Sequence, residues 1–163
     1  TVAPPAGIRL KPLEVGMAPP RRDGIERHRR FLQDSEFDIA ETSLSSHIIA
    51  TSRGAPFVAI PVFPSRRFMH ALLSVHSDSG VEKPTDLAGK RIGVGEYQQT
   101  AALWIRGALQ HEFGVEPKDM TFWMERTPEH SHGAATGFKP PEGVIVNQIP
   151  VEKSIGSMMI SGE

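Results

Sequence analysis

The stretch Lys90-Arg-Ile-Gly-Val-Gly-Glu-Tyr-Gln-Gln-Thr100, continuing through Ala-Ala-Leu-Trp-Ile-Arg-Gly-Ala-Leu-Gln-His-Glu-Phe113 to Gly114, decides the fold. Residues 90–94, after the Gly89 stop, read as a strand that ends in the small and polar residues from Gly93 onward. From Glu96 to Phe113 the apolar residues Ala101, Leu103, Trp104, Ala108, Leu109 and Phe113 recur at three- and four-residue spacings, the mark of a helix with one face buried. Gly114 is its stop, and Trp104 is expected in the core. Just upstream, Pro84-Thr-Asp-Leu-Ala-Gly89 reads as a short capped helical turn. Strand, glycine turn and helix form the unit from which parallel α/β sheets are built.

Towards the C-terminus, Thr121-Phe-Trp-Met124 reads as a strand, 128–141 as a loop, 143–150 as a strand and 154–159 as the start of a helix. Towards the N-terminus, residues 8–15 alternate apolar with polar, which predicts a strand placed near an edge by Pro12. A loop at 16–23 leads to a basic helix at 24–33, whose Arg27, His28, Arg29 and Arg30 read as a solvated face. A strand is expected at 37–41, followed by the hydroxyl run Thr42-Ser-Leu-Ser-Ser46 ahead of apolar 47–51. The runs 57–63 and 70–76 are almost wholly apolar, as strands covered on both faces would be. The Asp78-Ser-Gly80 turn, together with the family resemblance given below, puts a boundary between an expected first lobe, 1–76, and second lobe, 77–163.

Composition narrows the function. The 163 residues are 39% apolar and 23% charged, and 18 Lys and Arg nearly balance 19 Asp and Glu. That balance gives no reason to expect nucleic acid or an anionic membrane as partner. With no cysteine, disulfides, thiolate nucleophiles and Cys-ligated zinc are excluded. No apolar run approaches the roughly 20 residues that cross a bilayer, so no membrane insertion is expected. Thr1-Val-Ala-Pro-Pro5 lacks the basic and apolar regions of a signal peptide, which points to the cytoplasm, with the periplasm as the alternative if an export signal lies outside these residues. A start without Met and an end at Ile160-Ser-Gly-Glu163 read as a fragment of a longer chain.

Two strand-to-helix turns, Glu41-Thr-Ser-Leu-Ser-Ser46 and Gly93-Val-Gly-Glu-Tyr-Gln-Gln-Thr100, carry the chemistry. Each ends a strand in small and polar residues and opens a helix, whose first N–H groups have no intrahelical partner and suit an anion. The candidate binding residues are Ser43, Ser45, Ser46, Tyr97, Gln98 and Thr100; the competing reading is that Ser43, Ser45 and Thr100 only cap helices. Between two apolar runs, Ser65-Arg-Arg-Phe-Met-His70 offers one of Arg66 and Arg67, which alternation points to opposite faces, as a carboxylate clamp, and His70 as a proton donor, against a structural role for His70. Arg106 lies almost two turns into the helix and reads as support or an ion-pair partner. His111, His130 and His132, with Glu112 and Glu129, lack any metal-binding spacing, so no metal is expected. Gln98 stands where a dinucleotide fingerprint needs its third Gly, and no other cofactor motif is present.

Beyond single motifs, Glu36-Phe-Asp-Ile-Ala-Glu-Thr-Ser-Leu-Ser-Ser46, Arg53-Gly-Ala-Pro-Phe-Val-Ala-Ile-Pro-Val-Phe-Pro-Ser-Arg66 and His70 resemble the first lobe of the 4,5-dihydroxyphthalate decarboxylase family. The 84–94 segment, Glu96-Tyr-Gln98, Thr100-Ala101, Trp104, Arg106-Gly107 and Glu112-Phe-Gly-Val115 resemble that family's second-lobe opening. The resemblance implies a two-lobed, type II periplasmic-binding-protein-like α/β fold, here without the family's first strand and C-terminal return. It implies non-oxidative decarboxylation of a hydroxylated aromatic acid, a carboxy-lyase reaction on a small organic carboxylate, with homo-oligomerisation open. Arg66 would hold a carboxylate, Ser43, Ser45 and Thr100 the ring substituents, and His70 or Glu96 would donate the proton; Arg106 joins the binding set. Gly95 and Gln99 stand where the family more often has Pro and Met, which bears on the substrate more than on the fold. The alternative within the same fold is a solute-binding protein of an ABC-type transporter, which grips an organic anion without turning it over.

Overall fold

The computed structural model describes residues 3–12, 25–131, 133 and 136–163. The expected loop at 16–23, the last positions of the expected 8–15 strand, and His132 lie outside these residues. Three parallel strands, β1 (Arg91–Val94), β2 (Thr121–Met124) and β3 (Ile145–Gln148), form one sheet in that order. In register, Ile92 lies beside Phe122 and Phe122 beside Val146, so these three apolar side chains fall on one face. Onto that face packs α3 (Thr100–Phe113), the crossover between β1 and β2 that a parallel pair requires. Tyr97, Leu109, Val115, Met120 and Phe122 make the buried cluster between them. The Tyr97 and Phe122 rings meet edge to face, their centroids 4.9 Å apart.

The opposite face is covered by α4 (Ile155–Ser161), whose N-cap Ser154 hydroxyl accepts the Ser157 N–H at 3.0 Å. Gly93 permits this approach: a Cβ there would stand 3.1 Å from Ile155 Cγ2. A cavity of about 260 Å³ remains between this face and α4, lined by Trp123, Ile149, Ile155, Met158 and Met159. Helices on both faces of a parallel sheet make the fold α/β, as expected from the sequence.

The N-terminal half contributes α1 (Ile25–Leu32) and α2 (Leu44–Ser52). Phe57 joins them, its ring 5.0 Å from Phe31 and 6.0 Å from His47. The α2 helix packs on α3, as does the 3₁₀ turn Met69–Leu72.

Several expectations are corrected here. Residues 8–12, 37–41, 57–63 and 70–76 form no strand; Met69–Leu72 is a 3₁₀ turn, and Val58 is 90% exposed. The apolar pattern reports a tendency to be covered, but a strand exists only where its N–H and C=O groups find a neighbour. Among the described residues the sheet is complete with β1, β2 and β3. Trp104 is 60% exposed rather than core, because the buried line of α3 runs through Arg106 and Leu109, on the far side of the helix from position 104. His28 is 4% exposed, so the basic run of α1 is not a solvated face throughout. The long helix begins at Thr100, not Glu96, and residues 96–99 form the turn before it. It stops where expected, with Gly114 at φ +69° as its left-handed cap.

Candidate functional site

The site is built where β1 hands the chain to α3. After Val94 the backbone stays tied to the next strand, Glu125 N–H donating to Val94 O at 3.0 Å and Arg126 N–H to Gly95 O at 3.0 Å. The turn 96–99 therefore stands at the carboxyl end of the parallel strands, where ligands of such sheets bind. Its side chains diverge in purpose. Glu96 is 1% exposed; its carboxylate accepts from the Ser131 hydroxyl at 2.7 Å, from the Gly133 N–H, and from Arg126 Nη1 at 3.3 Å. It fastens the segment that follows β2.

Tyr97 turns inward to the core, and Arg106 lies beneath it. The Arg106 guanidinium is 3.6 Å from the centre of the Tyr97 ring and donates to Tyr97 O at 2.6 Å, so it holds both the ring and the backbone of the turn. At 6% exposure this cation has no carboxylate partner among the described residues. Burial lowers its pKa from the ordinary arginine value and raises that of the Tyr97 phenol. The support role read for Arg106 from its depth in the helix is the geometry found.

Gln98 reaches the other way. Its Nε2 donates to Ser46 Oγ at 2.9 Å and its Oε1 accepts from Thr136 Oγ1 at 3.0 Å. One buried amide thereby bridges α2, the turn and the segment after Gly133. Arg53, the residue after α2, adds a second tie, donating to the carbonyls of Thr136 and Gly137.

At the centre the two helix starts meet. Thr100 Oγ1, the first side chain of α3, lies 2.7 Å from Ser43 Oγ and 3.2 Å from Ser45 Oγ, and accepts the Ser45 N–H at 3.2 Å. The two serine hydroxyls are 3.0 Å apart. Ser43 is the N-cap residue of α2, but its hydroxyl makes no capping bond and is turned to the other helix instead. Simple capping therefore does not account for these residues. Three hydroxyls and a backbone amide converge between the positive ends of two helices, an arrangement that can donate to several oxygens of a small anion.

Of the sequence-predicted residues, the structure brings together Ser43, Ser45, Ser46, Gln98 and Thr100, with Glu96, Tyr97 and Arg106 around the same turn. Arg66 and His70 are both exposed. The Arg66 guanidinium lies 5.5 Å from the Phe63 ring centre, and among the described residues no hydrogen bond joins Arg66 or the His70 ring to the hydroxyl cluster. The 3₁₀ turn that carries His70 does pack against α3. Sequence reasoning missed Arg53, Arg126, Ser131, Gly133 and Thr136, which act through contacts between segments remote in sequence that no local spacing encodes. It also missed His28, hidden among arginines. No group of three His, Cys, Asp or Glu side chains placed to hold a metal occurs among the described residues.

The family model for the periplasmic substrate-binding protein of phosphonate ABC transporters matches residues 20–136. The chain is 39% identical over 143 residues to a 4,5-dihydroxyphthalate decarboxylase of Comamonas testosteroni, an alignment covering 87% of this chain and 43% of that protein. It is also 39% identical over 167 residues to a 4,5-dihydroxyphthalate decarboxylase of Pseudomonas putida, covering 96% of this chain and 64% of that protein. The chain thus spans less than two thirds of the length of these curated relatives. The resemblance read from the 36–66 and 84–115 segments is borne out, and with it the periplasmic-binding-protein-like fold. With well over half of its residues matched by the family model, the chain belongs to the periplasmic substrate-binding family of the phosphonate ABC-transporter type.

Proposed function

We propose that the protein of which this chain forms part removes CO2 from a hydroxylated aromatic acid of the 4,5-dihydroxyphthalate kind, gripping it between the starts of α2 and α3. The observation that carries the proposal is the convergence of Ser43 and Ser45 from the first half of the chain with Thr100 from the second. The activity named for both curated relatives supports the choice of substrate. A small organic ligand suits the family as well.

Loss of CO2 directly from an arene would leave an aryl anion. Protonation of the ring carbon that bears the carboxylate avoids this: the new C–H bond forms, the C–C electron pair returns to the ring, and CO2 departs. A hydroxyl ortho or para to that carbon stabilises the protonated ring. The residues must hold the carboxylates and supply one proton, which the donor regains from water. Donors at the helix starts suit the first task, with Arg66 as the clamp that lobe closure would bring in. For the second, the Glu96 carboxylate already receives bonds from Ser131, Gly133 and Arg126. A proton donor must have a free atom facing the ring, which favours His70 and leaves Glu96 to hold the turn.

Incubation of the protein with 4,5-dihydroxyphthalate is expected to release CO2, and His70→Ala to lower turnover by about 100-fold with affinity kept. Unchanged turnover would remove His70 from the acid role. Binding without any CO2 would favour the second reading, a solute-binding protein for an organic anion, which the family match supports.

A further inference from the structure

The basic helix α1 is bound to the segment that leads into α2 by three contacts. Arg30 pairs with Glu36 through two guanidinium nitrogens, Arg27 pairs with Glu41, and the Ser43 N–H donates to His28 Nε2 at 3.0 Å. The first two pairs are exposed, and the third is made by a side chain that is only 4% exposed. Surface pairs of that kind hold little, whereas a buried backbone amide left without an acceptor is costly. Of the three contacts that α1 makes, the one with the imidazole therefore does most to place Ser43.

We infer that His28 is a positioning residue for the ligand site: by accepting the Ser43 N–H it sets the entry angle of α2 and aims the Ser43 hydroxyl at Thr100. This rests on the reading that the helix starts form the site. To accept from an amide, Nε2 must be bare, so the ring proton is on Nδ1. A ring protonated on both nitrogens has no acceptor and would lose the bond. Gln carries an acceptor at similar reach; Leu fills similar space without one.

The test compares wild type, His28→Leu and His28→Gln by NMR hydrogen exchange at the Ser43 amide and by calorimetric titration with 4,5-dihydroxyphthalate. His28→Leu is expected to lose at least 10-fold of Ser43 protection and at least 10-fold of affinity, and His28→Gln to restore most of both. Protection or affinity unchanged in His28→Leu, or lost equally in both variants, overturns the inference. If wild type does not bind the acid while protection follows the expected order, the functional reading fails and the hold of His28 on Ser43 stands. Nitrogen-15 spectra of the wild-type imidazole give a check that needs no variant: a proton on Nδ1 is expected, and a proton on Nε2 overturns the inference.

Discussion

The hydroxyl of Ser43, at the head of α2, lies 2.7 Å from that of Thr100, at the head of α3, so two helix starts from opposite halves of the chain share a hydrogen bond. Around this contact, Ser45 contributes both a hydroxyl and an amide. Ser45→Ala removes one donor and leaves the amide, and a hydrogen bond to a charged ligand is worth about 1.5–3 kcal/mol. Affinity for 4,5-dihydroxyphthalate is therefore expected to fall by about 10- to 100-fold, as isothermal titration would show, while the melting temperature changes little.

Gln98→Leu tests the bridge between the halves. Leucine matches the size of glutamine but leaves the buried Ser46 hydroxyl without its donor and removes the Thr136 tie to the turn, while Thr136 keeps its bond to Gly133 O. About 1–3 kcal/mol of stability is expected to be lost, measured as a lower urea midpoint. Gln98→Glu keeps the acceptor for Thr136 but not the donor to Ser46, and is expected to be destabilising as well.

Tyr97 is the single tyrosine, so its ionisation can be followed directly by ultraviolet absorbance. Burial raises its pKa above the ordinary 10.0, partly offset by the neighbouring Arg106 charge. A group whose folded pKa is raised contributes stability that is present below its unfolded pKa and lost as pH climbs through the folded one. The phenol is expected to stay protonated past pH 10.0 and to ionise together with unfolding; titration at 10.0 in the folded protein would contradict the burial.

At the acid end the clamp of α1 is one sensitive part, beside Asp86 and Glu163, whose carboxyls are also held below their ordinary values. The Arg30 hydrogen bonds hold the Glu36 carboxyl below its ordinary 4.5. A depressed carboxylate contributes stability above its unfolded pKa and loses it as pH falls through the folded value. Circular dichroism is expected to show stability declining from about pH 4.5 downward, and Glu36→Gln to flatten that part of the profile. Because Glu36 is exposed, the effect is modest and salt reduces it.

Much of the second half was legible in the sequence. Residues 121–124 are a strand to the residue, and Gly114 stops α3, because period and glycine placement are local signals. The two hydroxyl-bearing turns were picked out too, although only the second, at 93–100, follows a strand. The apolar runs 57–63 and 70–76 misled, because hydrophobicity states what a segment would bury and not which neighbour it has. Trp104 misled for a related reason: a helix with apolar residues on several faces does not announce which face meets the sheet. The Glu96 and Gln98 networks depend on Ser131, Gly133 and Thr136, whose approach is set by the whole fold rather than by any spacing.

The central claim is that the starts of α2 and α3 bind one small acid between them. Titrating nitrogen-15-labelled protein with 4,5-dihydroxyphthalate tests it most directly, by following backbone amide shifts. The account predicts saturable shifts, with one common dissociation constant, at residues 44–46 and at 98–101. Shifts confined to the face beneath α4, or absent at either helix start while the acid binds, would contradict it.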